Sequence, residues 1–179
     1  MVCYVVVGAT GSGKTFFCKN SILEKYPNVL VYDIQNEYEL PIWDKLAKKG
    51  RFRILPSQMT QKQFMELGNA LSNFLFVYDE ATQYVTGALP EKLRENLVGK
   101  RHAKNRYMFM YHGFTFIPPR LVAFVDYLVQ FSVSKSEYLT GSKKLKLNDI
   151  NLCGEMLNEL PLYSKKIHKI SGLAKQGVF

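Results

Sequence analysis

The eight residues Gly8-Ala9-Thr10-Gly11-Ser12-Gly13-Lys14-Thr15 carry the clearest chemistry in the chain, because they match the spacing G-x-x-x-x-G-K-[ST]. Glycines let a backbone curl until consecutive N–H groups point at one phosphate. A helix that begins where the curl ends adds its positive N-terminal end. The lysine of such a loop reaches the β- and γ-phosphates, and the hydroxyl after it ligates Mg²⁺. The candidate nucleotide-binding residues are therefore Gly8, Ala9, Thr10, Gly11, Ser12, Gly13, Lys14, Thr15 and Phe16, with Thr15 also a metal ligand.

A second signal is the apolar run Phe74-Leu75-Phe76-Val77-Tyr78, which ends in Asp79-Glu80. A carboxylate at the end of a strand beside a phosphate loop can hold the Mg²⁺ shell, which suits Asp79. The adjacent Glu80 can polarise an attacking water and is the candidate general base. Guanine-reading switch proteins carry N-K-x-D, which this chain lacks, so ATP hydrolysis is the expected reaction. A third acidic cluster, Asp33-Ile34-Gln35-Asn36-Glu37-Tyr38, follows another apolar run. Either Asp33 or Glu37 assists the metal or the water, or Asp33 fixes a turn; the residues themselves leave both open.

These groups must be positioned by elements, and the hydropathy pattern supplies them. Residues 2–7 are continuously apolar and β-branched, as in a strand buried on both faces. A helix is expected over 14–26, stopped by Pro27, and a strand over 29–32. A short helix over 42–49 closes at Gly50, and a less buried strand spans 51–55. Thr60 caps a helix running to about residue 72, with Phe64, Leu67 and Leu71 on one face. A charged helix from Pro90, a strand over 107–111, a short helix over 118–125 and a strand over 128–133 follow. Alternation of apolar strands with helices means a parallel sheet covered on both faces, an α/β fold. After residue 134 the pattern weakens. Residues 1–134 read as the core and 135–179 as an appendage of hairpin or short helix with a mobile basic tail, rich in lysine.

The chain has 179 residues, enough for one domain, and 47% of them are hydrophobic, which excludes wholesale disorder. Cys3, Cys18 and Cys153 are three, widely spaced, and suggest neither a disulfide framework nor a zinc site. Residues 2–7 are too short for a secretory signal, and the most apolar long stretch, 117–134, is interrupted by Pro118, Pro119, Arg120 and Asp126, so no membrane insertion is expected. With 24 Lys+Arg against 15 Asp+Glu, the net charge of +9 suits a polyanion such as nucleic acid or an anionic membrane surface.

The ordered set of loop 8–15, Asp33-x-x-x-Glu37-Tyr38, Asp79-Glu80 and Arg101-His102 before the next strand resembles the FtsK–HerA superfamily of DNA-pumping ATPases. The segment 33–38 looks like the D-x-x-x-E-Y stretch of the HerA branch. The segment 101–112 looks like its R-(any 10)-Q stretch, with His112 in place of the glutamine and Gly113 where an arginine often follows. The resemblance implies a P-loop NTPase core of the RecA/ASCE type, with a mostly parallel central sheet flanked by helices. It also implies Arg101 as a finger reaching a neighbouring subunit's γ-phosphate, and His112 as the sensor of that phosphate. The small size is similar to the genome-packaging ATPases of tailless, membrane-containing viruses. Such a protein would form a hexameric or pentameric ring in the host cytoplasm or at the packaging vertex of the virion. It would meet capsid vertex proteins there and pump double-stranded DNA without reading its sequence. Two alternatives carry the same loop: an assembly ATPase like the zonula-occludens-toxin-like proteins of filamentous phages, and a small-molecule kinase.

Overall fold

The structure is a computed structural model, described here for residues 1–161 and 164–170. Seven strands form one sheet: β1 (Cys3–Val7), β2 (Val29–Tyr32), β3 (Arg51–Ile54), β4 (Leu75–Tyr78), β5 (Arg106–Tyr111), β6 (Tyr127–Gln130) and β7 (Lys166–Lys169). Their spatial order is β3-β2-β4-β5-β1-β6-β7. Every pairing among the first six is parallel; β7 runs antiparallel to β6. Parallel strands bring all their C-terminal ends to one edge. The chain leaves β1 for β2 on one side and leaves β5 for β6 on the other, so the order reverses at the β5–β1 pair, and ligands lodge at that kind of crevice.

Strand alternation builds two cores. Val5, Val7, Leu30, Tyr32, Phe76, Tyr78, Tyr107 and Phe109 pack on one face, where Tyr78 and Phe109 stack at 4.7 Å between ring centroids. Val6, Val29, Val31, Leu75, Val77 and Met108 pack on the other against Phe17, Cys18 and Ile22. The first face is covered by α2 (Gln61–Ala70), α3 (Glu91–Gly99) and α4 (Pro119–Val122). Thr60 starts α2 as expected, in a capping box with Gln63. Buried Asn105 knots this layer to the sheet: it accepts from the Phe74 amide (3.0 Å) and donates to the carbonyls of Gly68 (2.9 Å) and Leu71 (2.8 Å).

Two expected helices differ. The stretch expected as one helix over 14–26 is α1 (Lys14–Phe17), then a wider π turn at Cys18–Ile22 and a 3₁₀ turn at Leu23–Lys25. Asn20 helps break the α ladder by donating its side-chain amide to the Phe16 carbonyl at 2.9 Å. The stretch 42–49 is not a helix. Arg53 donates its amide to the Pro41 carbonyl (3.0 Å) and Trp43 donates to the Arg53 carbonyl (2.9 Å), so Ile42 is drawn out as a bridge beside β3. Sheet hydrogen bonds outweigh the weak local preference for helix.

After residue 134 the chain forms α5 (Lys135–Leu145), α6 (Asp149–Glu159) and then β7, rather than a hairpin or one short helix. Tyr138, Leu145, Ile150 and Ile170 join the same buried cluster as β1 and β5. Buried His168 on β7 pairs with Gln130 of β6 (3.1 Å), which donates to the Ile150 carbonyl (3.1 Å). The expected basic tail over 171–179 lies outside the described residues. Among the described residues no helix is long and apolar enough to cross a membrane.

Candidate functional site

The loop between β1 and α1 is held at its start by the sheet. Gly8 donates its amide to the Tyr111 carbonyl of β5 (3.1 Å), and Ala9 donates to the Ser132 carbonyl beyond β6 (2.9 Å). A Cβ on Gly8 would sit 2.7 Å from the Cβ of Phe131, so only glycine allows this approach. Gly13 turns the chain into α1 with φ of 101°, a left-handed geometry that side chains resist.

Lys14 is only 7% exposed. Its ammonium donates to the carbonyls of Gly8 (2.8 Å) and Ala9 (3.1 Å), and lies 3.4 Å from His112 Nδ1. Burial lowers its pKa, while the carboxylates of Glu80, Asp79 and Glu37 pull it back up. The acid pair follows β4. Glu80 sits in left-handed backbone geometry, φ 52°, an uncommon state for a non-glycine residue and one that gathers at functional sites. Its carboxylate pairs with His112 Nε2. An ammonium can only donate, so the Nδ1 that faces Lys14 accepts. The ring proton therefore sits on Nε2 and is donated to Glu80.

These groups meet because β1, β5 and β4 are neighbours, so strand ends 98 and 32 residues apart in pairs close on one another. The cleft they share holds about 330 Å³ and is lined by Thr10, Gly13, Thr15, Glu37, Glu80 and His112, among others. Phe16, 60% exposed, stands at its rim. Two supports had no signal in the sequence. Thr82 accepts the His112 amide on its hydroxyl (3.0 Å), and Tyr84 donates its hydroxyl to the Asp79 carbonyl (2.8 Å). The first spans 30 residues and the second a turn of five, and no motif spacing encodes either.

Asp33 takes the turn-fixing alternative. It is fully buried and accepts the amides of Glu37 (2.9 Å) and Tyr38 (3.1 Å), with Arg53 at 3.8 Å. This turn presents Gln35 and Glu37 to the cleft instead. Arg101 lies in the turn between α3 and β5, exposed, at the opposite edge of the sheet. The six residues of β5 put it about 20 Å from His112, so within one chain it does not enter the cleft.

The donor set suits a hard dication: a hydroxyl on Thr15 and a carboxylate on Asp79, oxygen ligands of the kind Mg²⁺ takes together with substrate phosphates. Among the described residues no group of three or more His, Cys, Asp and Glu is arranged to hold a metal. Burial, and then the carboxylates of Glu80 and Glu37, raise the pKa of Asp79 to about 7, with a smaller opposing effect from the Glu80 amide. A carboxyl that titrates near 7 folded and near 4 unfolded retains its proton in the native state between those values. Its contribution to stability is then full below pH 4 and is lost as pH rises through 7. In chelator, the melting temperature of the protein should fall between pH 5 and 8. Asp79→Asn should flatten that fall and melt about 5 °C higher at pH 8. Parallel melting curves for the two proteins across this range would disprove the assignment.

No protein-family model matches the sequence. Protein P9 of the Pseudoalteromonas phage PM2 is 33% identical over 83 residues, a match spanning 39% of this chain and 38% of that protein. Among solved structures, the genome packaging NTPase B204 from Sulfolobus turreted icosahedral virus 2 in complex with ATPγS superposes with a TM-score of 0.76. The superposition covers 95% of this chain and 92% of that one at 17% identity. B204 from Sulfolobus turreted icosahedral virus, described as a DNA-packaging ATPase, matches at 0.73 with 16% identity over 94% of this chain and 92% of that one. The likeness establishes the fold as that of a P-loop NTPase.

Proposed function

We propose that this protein is an ATP-hydrolysing motor that moves double-stranded DNA, the genome-packaging ATPase of a tailless, membrane-containing virus. The observation that carries the reading is the convergence of Lys14, Glu80 and His112 on one cleft beside the 8–15 loop. The near full-length superposition on a viral packaging NTPase supports it.

In the proposed reaction the amides of residues 8–16 and the Lys14 ammonium hold the triphosphate. Thr15 and Asp79 would hold Mg²⁺, which when bound neutralises charge on the phosphates. Glu80, oriented by His112, accepts the proton of the attacking water. The new bond forms from that oxygen to the γ-phosphorus, and the bond to the β,γ-bridging oxygen breaks, leaving ADP and phosphate. His112 touches both the Lys14 ammonium and the Glu80 carboxylate. A phosphate that draws Lys14 forward is thereby felt at the base, which gives a histidine the sensor role. Arg101 acts only across a subunit boundary, which calls for a ring of six or five copies. Residues 1–134 carry the reaction, and 135–170 buttress the loop from the β6 side.

DNA would be held by phosphate contacts that carry no sequence information. Two basic candidates are already committed internally: Lys100 pairs with Asp126 (2.9 Å), and Lys144 donates to the carbonyls of Phe114, Thr115 and Ile117. Exposed Lys104, Lys135 and Lys143 fit the role better. The setting is the host cytoplasm or the packaging vertex, against capsid proteins. The test is the rate of ATP hydrolysis with and without duplex DNA across salt. Stimulation by DNA of any sequence, fading steeply as salt rises, is the expected result. Hydrolysis indifferent to DNA at every salt concentration would overturn the motor and favour an ATP-gated assembly factor.

A further inference from the structure

Resting on the motor reading above, we propose that duplex DNA lies by its phosphates on a row of cations and tyrosines across the N-terminal ends of the strands, on the second face of the sheet. The row is Arg51 of β3, Tyr26 before β2, Arg106 of β5, Tyr4 of β1, Tyr127 of β6 and Lys169 of β7. Contacts place these residues side by side. Tyr4 and Tyr26 pack against the cluster that holds Val6 and Met108. The Arg106 guanidinium lies over the Tyr26 ring (5.0 Å), and Arg51 donates to the carbonyls of Tyr26 (3.1 Å) and Glu24 (3.0 Å). Tyr127 stacks on Tyr4, with 5.6 Å between ring centroids. Lys169 is the partner of Tyr127 in the antiparallel pair, so both stand on the same face.

This end of the second face is thinly covered. Among the described residues, the helical turns of 14–25 and the loop carrying Tyr38 and Leu40 pack on that face, and Tyr4 and Tyr127 remain partly exposed. Lys104, exposed and in left-handed geometry (φ 54°), stands two residues before Arg106 and adds a charge at the same edge. Among the described residues none of Arg51, Lys104, Arg106 and Lys169 pairs with a carboxylate, so their charge is left for an outside anion. From β3 to β7 the row crosses every strand of the sheet, about 29 Å, the axial length of about eight base pairs. The rings favour backbone over bases. Tyr4 and Tyr127 each give a face to the other, and Tyr26 gives one to Arg106. The surface therefore presents ring edges and cations, which suit phosphate oxygens better than stacked bases. It lies at the strand ends opposite the nucleotide cleft, about 20 Å away along β5, so DNA and ATP do not compete for space.

The test is binding of a labelled 30-base-pair duplex to the full chain, followed by fluorescence anisotropy across salt. Three double variants carry the same change in net charge: Lys104→Glu with Lys169→Glu in the row, Lys135→Glu with Lys143→Glu on α5, and Lys62→Glu with Lys92→Glu on α2 and α3. The row variant should bind at least about tenfold more weakly, and its plot of log affinity against log salt should be flatter by about two. The other two should stay within about threefold of wild type, with the slope unchanged. Lys104→Gln with Lys169→Gln adds no repulsion and should show the same flatter slope. Row variants that bind as wild type does overturn the row and leave the motor standing. An equal loss in all three reversals also overturns it, since net charge alone would then govern binding, and a loss confined to the α5 variant moves the DNA there. A single strand held more tightly than the duplex, and released by Tyr127→Ala, overturns the phosphate contact in favour of base stacking. Wild type that binds no duplex at any salt overturns the motor reading and the row together.

Discussion

Lys14→Ala is expected to lower ATP hydrolysis by about 10³-fold, to the background of the assay. The ammonium is buried at the head of the cleft, where a charge acts through little water and is worth more than on the surface. The carbonyls of Gly8 and Ala9 keep it beside the loop before any phosphate arrives, so the charge already stands next to the site where negative charge develops. Alanine removes that charge and leaves the Glu80 carboxylate facing the triphosphate with its repulsion uncompensated. The fold should survive. The loop is fixed by backbone bonds from Gly8 and Ala9 to the β5 and β6 ends, and Lys14 takes no part in them. Phosphate release at saturating ATP, alongside a circular dichroism spectrum matching wild type, is the check. Retention of a tenth or more of the wild-type rate in the folded variant would remove Lys14 from the reaction.

Glu80→Gln should slow turnover by about 10²- to 10⁴-fold while nucleotide affinity stays near wild type. The direction of the His112 bond makes this substitution informative. His112 donates through Nε2, and the amide oxygen of glutamine accepts that proton as a carboxylate does, so the geometry is kept and only basicity and charge are lost. The variant should therefore bind ATP and hold it uncleaved. Glu80→Ala, by contrast, strands the imidazole N–H and disturbs Lys14 as well. Single-turnover hydrolysis measured beside equilibrium binding separates the two effects. Near-normal cleavage in the glutamine variant would mean that another group activates the water.

The phosphate-binding chemistry is legible in the amino-acid sequence because it is local. Curl, lysine and hydroxyl lie within eight consecutive residues, and the amides that face a phosphate belong to the same short backbone. The buried strands are legible for a similar reason, since a strand covered on both faces must be apolar without a break, as at 2–7 and 74–78. Thr60 announces a helix start through a contact only three residues long.

What the tertiary structure decided lies beyond that range. Asp33 and Glu37 looked equally suited to the metal or the water; burial turned Asp33 inward onto its own loop and left Glu37 in the cleft. Lys100 and Lys144 count as free positive charge in the sequence, but Asp126 and three loop carbonyls hold them in the fold. Residues 42–49 had the composition of a helix but lost it to β3, and the weakly patterned 135–170 proved to carry an edge strand and part of the main core. The meeting of His112 with Lys14 and Glu80 belongs here too. Local spacing determines which atoms a short stretch of backbone can present. Which distant stretches come together depends on the order in which strands pair, and that order is set by the burial of the whole sheet.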